Sequence, residues 1–402
     1  MPSYPGSRPT YHESSVVKVL SRAADLLAEQ ARSCGAPSYV TFQVTDRCNY
    51  SCSHCYQEHE GNNELSTEEV FDILGQLAKA GVLFLTFMGG EFFMRRDADQ
   101  ILQKAHDLGF ALKVLSTGHH IHEKRADFLA TIRPLQVDIS IYGSKPAIHE
   151  HVTRQEGSWQ RSLDAIGRLI ARKITVVLKT PVMQSNVEDL KGIAKMADSL
   201  GAKFTFDPKI TAIEDGDLQT TRFRMDEDSV AELYRETMPD FIDQGYSRAH
   251  KEDLRPLGDT PCRAGKDVCG INPQGEVWPC SSMPYPVGDL RKQSFASIWS
   301  SSPSLEEVRG LTWATISECN ECPVRSYCSR CHAMALVEDG KLRGPSLEAC
   351  RHAVAVRDSL RSRGKIPATE TQLPPTWNRV AADGQHDRLP SGGRRVAALK
   401  VL

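Results

Sequence analysis

Three cysteines stand close together as Cys48-x3-Cys52-x2-Cys55. Eight more crowd the later part of the chain: Cys262, Cys269, Cys280, Cys319, Cys322, Cys328, Cys331 and Cys350. Cys34 completes the twelve, and none lies between Cys55 and Cys262. Disulfide-stapled secreted chains are usually short and carry cysteines throughout. Clusters in a long chain point instead to metal. Three thiolates on one tight loop can all face a single metal or cluster. Closed structural zinc sites take four ligands, and no fourth cysteine or well-spaced histidine sits nearby. His54, between two of the thiols, is expected to point away. A cubane iron–sulfur cluster also normally takes four thiolates. Three leave one iron open, and an open iron can bind a small molecule. The later eight thiols are the number that two fully ligated four-iron clusters need. They are equally the number for two four-cysteine zinc sites, so the count alone does not select the metal.

Such groups need a frame that turns them toward one another. Strand-like patterns fall at residues 38–45, 82–88, 111–116, 136–142, 174–180 and 203–206, alternating with helical patterns at 67–80, 97–108, 122–131, 158–171 and 187–200. Alternation of this kind implies a parallel sheet with helices outside, either an open doubly wound sheet or part of a (β/α) barrel. In both, chemistry gathers at the C-terminal edge of the strands. The first cysteine loop directly follows the first strand. Gly89-Gly90-Glu91 follows the second, where two glycines let the backbone approach a ligand closely and Glu91 can accept hydrogen bonds from an ammonium group. Ser116-Thr117-Gly118, then Ser140 with Tyr142-Gly143, then Lys179 with Asn186, add polar groups at later strand ends. Asp207 ends the sixth strand, where a carboxylate can take up a proton or position a cation; Glu214 and Asp215 follow in a loop.

The remaining chain divides by composition. Residues 1–37 are a lead-in with an amphipathic helical pattern at 15–32. Residues 38–210 form the β-α core, 211–260 a charged helical bridge, 261–362 a small cysteine-rich domain of short strands and turns, and 363–402 a tail containing Pro367, Pro374 and Pro375. The cysteine-rich part has too little apolar sequence for a large core, so metals are expected to help hold it. His119, His120 and His122, and His149 and His151, are expected to be solvated loop histidines. Lys and Arg number 49 against 51 Asp and Glu, a net charge of −2, which gives no electrostatic footprint for nucleic acid. The most apolar stretch, 82–88, is far short of the ~20 residues of a membrane helix. No secretory h-region is visible, so the default compartment is the cytoplasm.

Cys48-x3-Cys52-x2-Cys55 followed about 35 residues later by Gly89-Gly90-Glu91 resembles the radical S-adenosylmethionine (SAM) superfamily, and the order of strand-end motifs is similar over residues 38–207. The resemblance implies a partial (β/α)6 TIM-like barrel. It implies a 4Fe–4S cluster on Cys48, Cys52 and Cys55 whose open iron chelates SAM, and reductive cleavage of SAM to a 5′-deoxyadenosyl radical. By position, Gly89, Gly90 and Glu91 would contact the methionine amino group, Ser140 and Arg154 ribose and carboxylate oxygens, and Ser116 and Asn186 would border the cofactor. Gly275-x4-Cys280 and the later cysteine run look like the SPASM extension, which carries two auxiliary 4Fe–4S clusters. By analogy Cys262, Cys269, Cys280 and Cys331 would hold one, and Cys319, Cys322, Cys328 and Cys350 the other. The partition of Cys328 and Cys331 is the open point.

The resemblance is to maturases of ribosomally made peptides. It implies oxidative modification of a peptide, such as a thioether, ether or carbon–carbon cross-link, with three 4Fe–4S clusters, S-adenosyl-L-methionine and a flavodoxin- or ferredoxin-type electron donor. Only 37 residues precede the first strand, too few for the peptide-recognition domain many such enzymes carry, so a separate protein or the barrel itself would hold a peptide's leader. Two rivals stay open: a radical SAM oxidoreductase acting on a small molecule such as a tetrapyrrole or carbohydrate, and a non-catalytic zinc-binding scaffold.

Overall fold

A computed structural model describes residues 35–59, 62–237, 255–369, 372–375 and 377. The expected lead-in helix at 15–32, Cys34, the middle of the bridge and most of the tail lie outside the described residues.

The first half alternates as the hydrophobic pattern requires: β1 (Tyr39–Gln43), α1 (Thr67–Lys79), β2 (Phe84–Met88), α2 (Ala98–Asp107), β3 (Ala111–Ser116), α3 (Glu123–Ile132), β4 (Gln136–Ser140), α4 (Pro146–Thr153), α5 (Ser158–Ala171), β5 (Val176–Pro181), α6 (Leu190–Leu200) and β6 (Lys203–Asp207). Local chemistry sets the boundaries. Ser66 Oγ accepts from Glu69 N (3.2 Å) while Glu69 Oε2 accepts from Ser66 N (2.7 Å), a capping box that starts α1 at Thr67. Val70, Ile73, Leu74 and Leu77 then face the core on one stripe.

β1 to β6 are parallel and lie side by side in chain order. Every crossover therefore steps in the same direction. Because such crossovers are right-handed, all the helices fall on one face, and the sheet curls with its other face inside. A doubly wound sheet would reverse direction midway, so strand order decides for the barrel. The curl is incomplete: β6 does not pair with β1, and its Lys203, Thr205 and Asp207 are exposed.

The cysteine-rich part continues the same sheet. After α7 (Glu227–Glu232), β7 (Val268–Ile271) pairs parallel to β1, with Val40 opposite Cys269, and β8 (Glu276–Trp278) and β9 (Gly288–Asp289) follow antiparallel. α8 (Phe295–Ser301), α9 (Pro303–Arg309), α10 (His332–Val337) and α11 (Leu347–Ser362) complete the described chain. The sixteen-residue α11 adds a long helix to the short strands and turns expected at 261–362. It is buried nearly all round, with Glu348, His352 and Arg357 inside beside Ala353 and Val356, so it shows no apolar stripe to read. α11 packs with Val182, Val187 and Leu190, which follow β5, and with Trp313 and Tyr327. Among the described residues, no helix is long and apolar enough to cross a membrane.

Candidate functional site

The loop that leaves β1 runs over the end of β2. Gly90 N donates to Thr45 O and Glu91 N to Arg47 O, both at 2.9 Å, which extends the strand pairing into the cysteine loop. A Cβ on Gly89 would lie 2.4 Å from Thr45 O, and one on Gly90 2.6 Å from Asp46 O and Arg47 O. Neither glycine has a left-handed φ. Their smallness, not their conformational freedom, seats the loop. Past this cradled segment Cys48, Cys52 and Cys55 lie close enough together that the charge of one disfavours ionisation of the next. Burial is the larger cause, and pushes Cys48 up to about 11 and Cys52 to about 12. As free thiols they are protonated at neutral pH, so a metal guest must displace their protons. His59 Nδ1 donates to Asp46 O (2.7 Å), since a carbonyl only accepts, leaving Nε2 to face Cys55 Sγ at 3.4 Å.

Glu91 is 1% exposed, and its carboxylate ties two strand ends together. It accepts from Ser116 Oγ (2.9 Å), Thr117 N (2.6 Å) and Phe93 N (3.1 Å). Ser116 Oγ in turn accepts from Gly118 N at 3.0 Å. Tyr142 is central: its hydroxyl lies in hydrogen-bond reach of both the Cys52 thiol and the Ser140 hydroxyl, which brings Ser140 to the first cysteine group. The ring of His54 packs edge-on against Tyr142 at 4.9 Å. His149 departs from expectation. It is 1% exposed, and its Nδ1 accepts from Tyr142 N at 3.2 Å. Its place on α4, an eight-residue helix opened by Pro146, turns it inward. His119 and His122 are exposed as expected, His119 pairing with Tyr50 Oη at 3.3 Å and His122 capping α3.

Arg154 stands exposed at the end of α4, two residues past Val152, whose carbonyl accepts from Ser53 N of the cysteine loop at 2.9 Å. Sequence reasoning passed over Arg161, in the first turn of α5. Its guanidinium reaches the Tyr50 hydroxyl, and Tyr50 also feels Glu91 and Cys52. Arg161 Nε is sealed from solvent without a hydrogen bond. The signal was available: a cation in the first turn opposes the helix dipole, so something other than helix stability keeps it there. Asn186 holds its own turn, with Oδ1 accepting from Met183 N (2.8 Å) and Nδ2 donating to Pro181 O (3.1 Å). Asp207 is exposed, and its Oδ1 accepts from Lys209 N at 3.0 Å.

The later thiols form two electrostatic neighbourhoods. Cys328 feels Cys350, Cys319 and Cys322, whereas Cys331 feels Cys262, and Cys280 feels both Cys331 and Cys262. The two ends of the short Cys328–Cys331 segment thus turn to opposite groups. Cys269 is 1% exposed in β7 within the sheet core, and the charge it feels is that of Arg309. Arg330, 2% exposed, lies between the two groups and feels Cys319, Cys328, Cys331 and Cys262. Among the described residues, no three Cys, His, Asp or Glu side chains converge to hold a single metal ion. The donor sets, three thiols on the first loop and later groups of three and four thiols, fit iron–sulfur clusters.

Comparison with known proteins agrees with this geometry. Residues 42–197 match the Radical SAM superfamily, and residues 262–323 match SPASM, an iron–sulfur cluster-binding domain. The chain is 26% identical over 359 residues to a PqqA peptide cyclase from Rhizobium meliloti, covering 84% of this chain and 92% of that protein. It is 23% identical over 328 residues to an AdoMet-dependent heme synthase from Methanosarcina barkeri, covering 76% and 94%. In fold it is similar to Streptococcus suis SuiB bound to S-adenosylmethionine, with a TM-score of 0.62, 15% identity and 82% of each chain covered. A barrel whose three-thiol loop starts on two glycines, continued by a cysteine-rich sheet extension, thus places the chain in the radical SAM superfamily, with a C-terminal SPASM domain.

Proposed function

We propose that this protein is a peptide maturase: a radical SAM enzyme that oxidatively modifies a ribosomally made peptide, for example by a thioether, ether or carbon–carbon cross-link. In this reading Cys48, Cys52 and Cys55 hold the 4Fe–4S cluster that binds SAM. Cys262, Cys280 and Cys331, with Cys269 as the family analogy adds it, hold one auxiliary cluster, and Cys319, Cys322, Cys328 and Cys350 the other. Bound there, the first cluster supplies the electron that cleaves SAM to a carbon radical able to abstract hydrogen from the substrate.

The chain's own residues prepare that event. Gly89 and Gly90 let the cysteine loop sit directly on β2, and Glu91 fixes the ends of β2 and β3 through Ser116 and Thr117. Tyr142 donates toward Cys52, which favours its thiolate form. Arg161 brings a cation to Tyr50 on the same loop, where it can meet the carboxylate of SAM, a role the sequence reading gave to Arg154. The exposed Asp207 is available to a substrate at the barrel mouth. A net loss of two hydrogens takes one hydrogen atom and then one electron and one proton from the substrate; auxiliary clusters held by the later thiols would supply the electron acceptor, and the exposed Asp207 could take the proton. An electron donor of flavodoxin or ferredoxin type, and a separate protein that holds the peptide's leader, complete the reading.

The observation that carries the chemistry is the three neighbouring thiols on a loop whose start is seated on Gly89 and Gly90. What favours a peptide is the similarity to a PqqA peptide cyclase across most of both chains. The similarity to heme synthases favours a second reading, oxidation of a tetrapyrrole side chain. The test is anaerobic incubation of the reconstituted enzyme with SAM, reductant and either peptides encoded beside its gene or an iron tetrapyrrole, read by mass spectrometry. A peptide lighter by two hydrogens, with 5′-deoxyadenosine formed, is the expected result. Modification of the tetrapyrrole alone overturns the peptide reading. A colourless protein that binds zinc in all three sites overturns both.

A further inference from the structure

A cavity of about 370 Å³ opens where the first cysteine loop meets the β7–β8 hairpin, a size within the roughly 300–1,000 Å³ of small-ligand sites. Four carboxylates from three segments line it: Asp46 and Glu58 on the loop, Glu214 after β6 and Glu276 on β8. No lysine or arginine shares the wall among the described residues. Asp46 accepts from Gln274 Nε2 (2.7 Å), and Glu276 from Asn272 Nδ2 (2.8 Å) and Trp278 Nε1 (3.3 Å). These neutral donors orient the two carboxylates. Burial, with the charges of Asp46 and Glu58 added, holds the Glu214 carboxyl up at about 7.

A second feature points to a guest. Gln43, at the end of β1, is 3% exposed and lines the cavity, and its Nε2 completes no hydrogen bond of ordinary geometry. The same is true of Glu214 Oε1, although the Gln43 carboxamide stands near enough to favour ionisation of Glu214. Buried polar groups are nearly always paired. Gln43 Nε2 and Glu214 Oε1 stand near one another at the cavity wall, each short of a hydrogen bond of ordinary geometry. The carboxylates do not gather on one ion-sized point, which suits an extended organic cation with several N–H donors rather than a metal.

We infer that this cavity receives a basic residue of the substrate peptide, its ammonium or guanidinium group among Glu214, Glu276, Asp46 and Glu58 and a backbone carbonyl on Gln43. The inference rests on the peptide reading proposed above and adds to it a preference for a cationic residue near the modified position.

The test is calorimetric titration of the anaerobic, cluster-loaded enzyme with an N-acetylated, C-amidated Gly-Lys-Gly tripeptide and with its norleucine counterpart. The lysine peptide should bind about tenfold more tightly, the scale of a hydrogen-bonded charge. Glu214→Gln with Glu276→Gln should remove most of that preference, and Glu214→Gln alone part of it. Equal binding of the two peptides, no binding of either at millimolar concentration, or a preference that survives both substitutions overturns the inference. A lysine preference in an enzyme that modifies no peptide leaves the cavity assignment standing and sinks the maturase reading. A modified peptide without the preference does the reverse.

Discussion

Gly90→Ala tests whether the cradle, rather than backbone flexibility, is what the site needs. The added Cβ would lie 2.6 Å from the carbonyl oxygens of Asp46 and Arg47, whereas ordinary contact begins at 3.4 Å. The loop must therefore lift by about 0.8 Å, since backbone atoms cannot rotate aside as a side-chain tip can. Gly90 N–Thr45 O and Glu91 N–Arg47 O, now 2.9 Å each, would then stretch past hydrogen-bonding length. Overpacking costs about 1–3 kcal/mol, and each lost hydrogen bond adds about 1 kcal/mol. A displacement of that size between reacting groups lowers rate by about a hundredfold. The assay is 5′-deoxyadenosine formation by the anaerobically reconstituted variant, with iron per chain measured in parallel. Gly167→Ala is the control. Gly167 is exposed on α5, and nothing lies within 4 Å of a Cβ there, so alanine should raise the thermal midpoint through a helix-propensity gain of about 1 kcal/mol and leave cleavage intact. Wild-type cleavage by Gly90→Ala would refute the reasoning.

Three further outcomes follow from the same geometry. Cys52→Ala should abolish SAM cleavage, whereas Cys322→Ala should spare cleavage yet block product; full cleavage by Cys52→Ala would overturn the assignment of the first loop. Arg161→Lys should raise the KM for SAM about tenfold with a smaller change in kcat, because an ammonium cannot reproduce a guanidinium fork; an unchanged KM would return the role to Arg154. The Glu214 carboxyl has a folded pKa of about 7 against an ordinary 4.5, so the folded state holds its proton more tightly than the unfolded one. Stability from this group therefore falls as pH rises from about 4.5 to about 7, by at most about 3 kcal/mol. Urea unfolding of the cluster-free chain should show Glu214→Gln gaining on wild type across that window and matching it below; a constant difference would count against the buried, charge-crowded setting.

Much of this architecture was legible because its signals are local. The six strands could be placed from short apolar runs, whereas the cysteine count gave only the number of later thiols and their division into two groups came from the SPASM resemblance. Gly89 and Gly90 read as letting the backbone approach a ligand; in the structure the chain's own Thr45–Arg47 backbone packs against them. Glu91 reads as a ligand for an ammonium group, whereas its carboxylate hydrogen-bonds Ser116 and Thr117; a cross-strand tie of that kind leaves no trace in spacing. α11 and the inward turn of His149 were hidden for a different reason. Both bury polar groups whose surroundings spacing does not show: His352 lies between Glu348, one turn back on α11, and the distant Tyr234, and His149 is turned inward with Nδ1 accepting from Tyr142 N. The Tyr234 contact is supplied only by the tertiary fold.

The cysteine-rich region is better understood as what completes an unfinished barrel than as an appendage to it. Six strands leave two raw edges, and bare edges invite pairing with other chains. β7 takes the β1 edge by direct pairing. At the far edge the connection is made by side chains: Lys209 Nζ donates to Ser329 Oγ (2.6 Å), and Arg224 reaches Glu338 (2.7 Å), whose Oε1 also accepts from Ala212 N (3.0 Å). Ser329 lies between Cys328 and Cys331, so the segment that turns one thiol toward each later group is the one pinned to the end of β6. The acidic cavity falls on the other seam, where Gln43 of β1 and Glu214 beyond β6 meet Glu276 of β8. A region that joins both barrel edges thereby brings the later thiol groups and a wall of the cavity to the mouth that already carries Cys48, Cys52 and Cys55, and it does so through backbone pairing and buried ion pairs rather than a hinge.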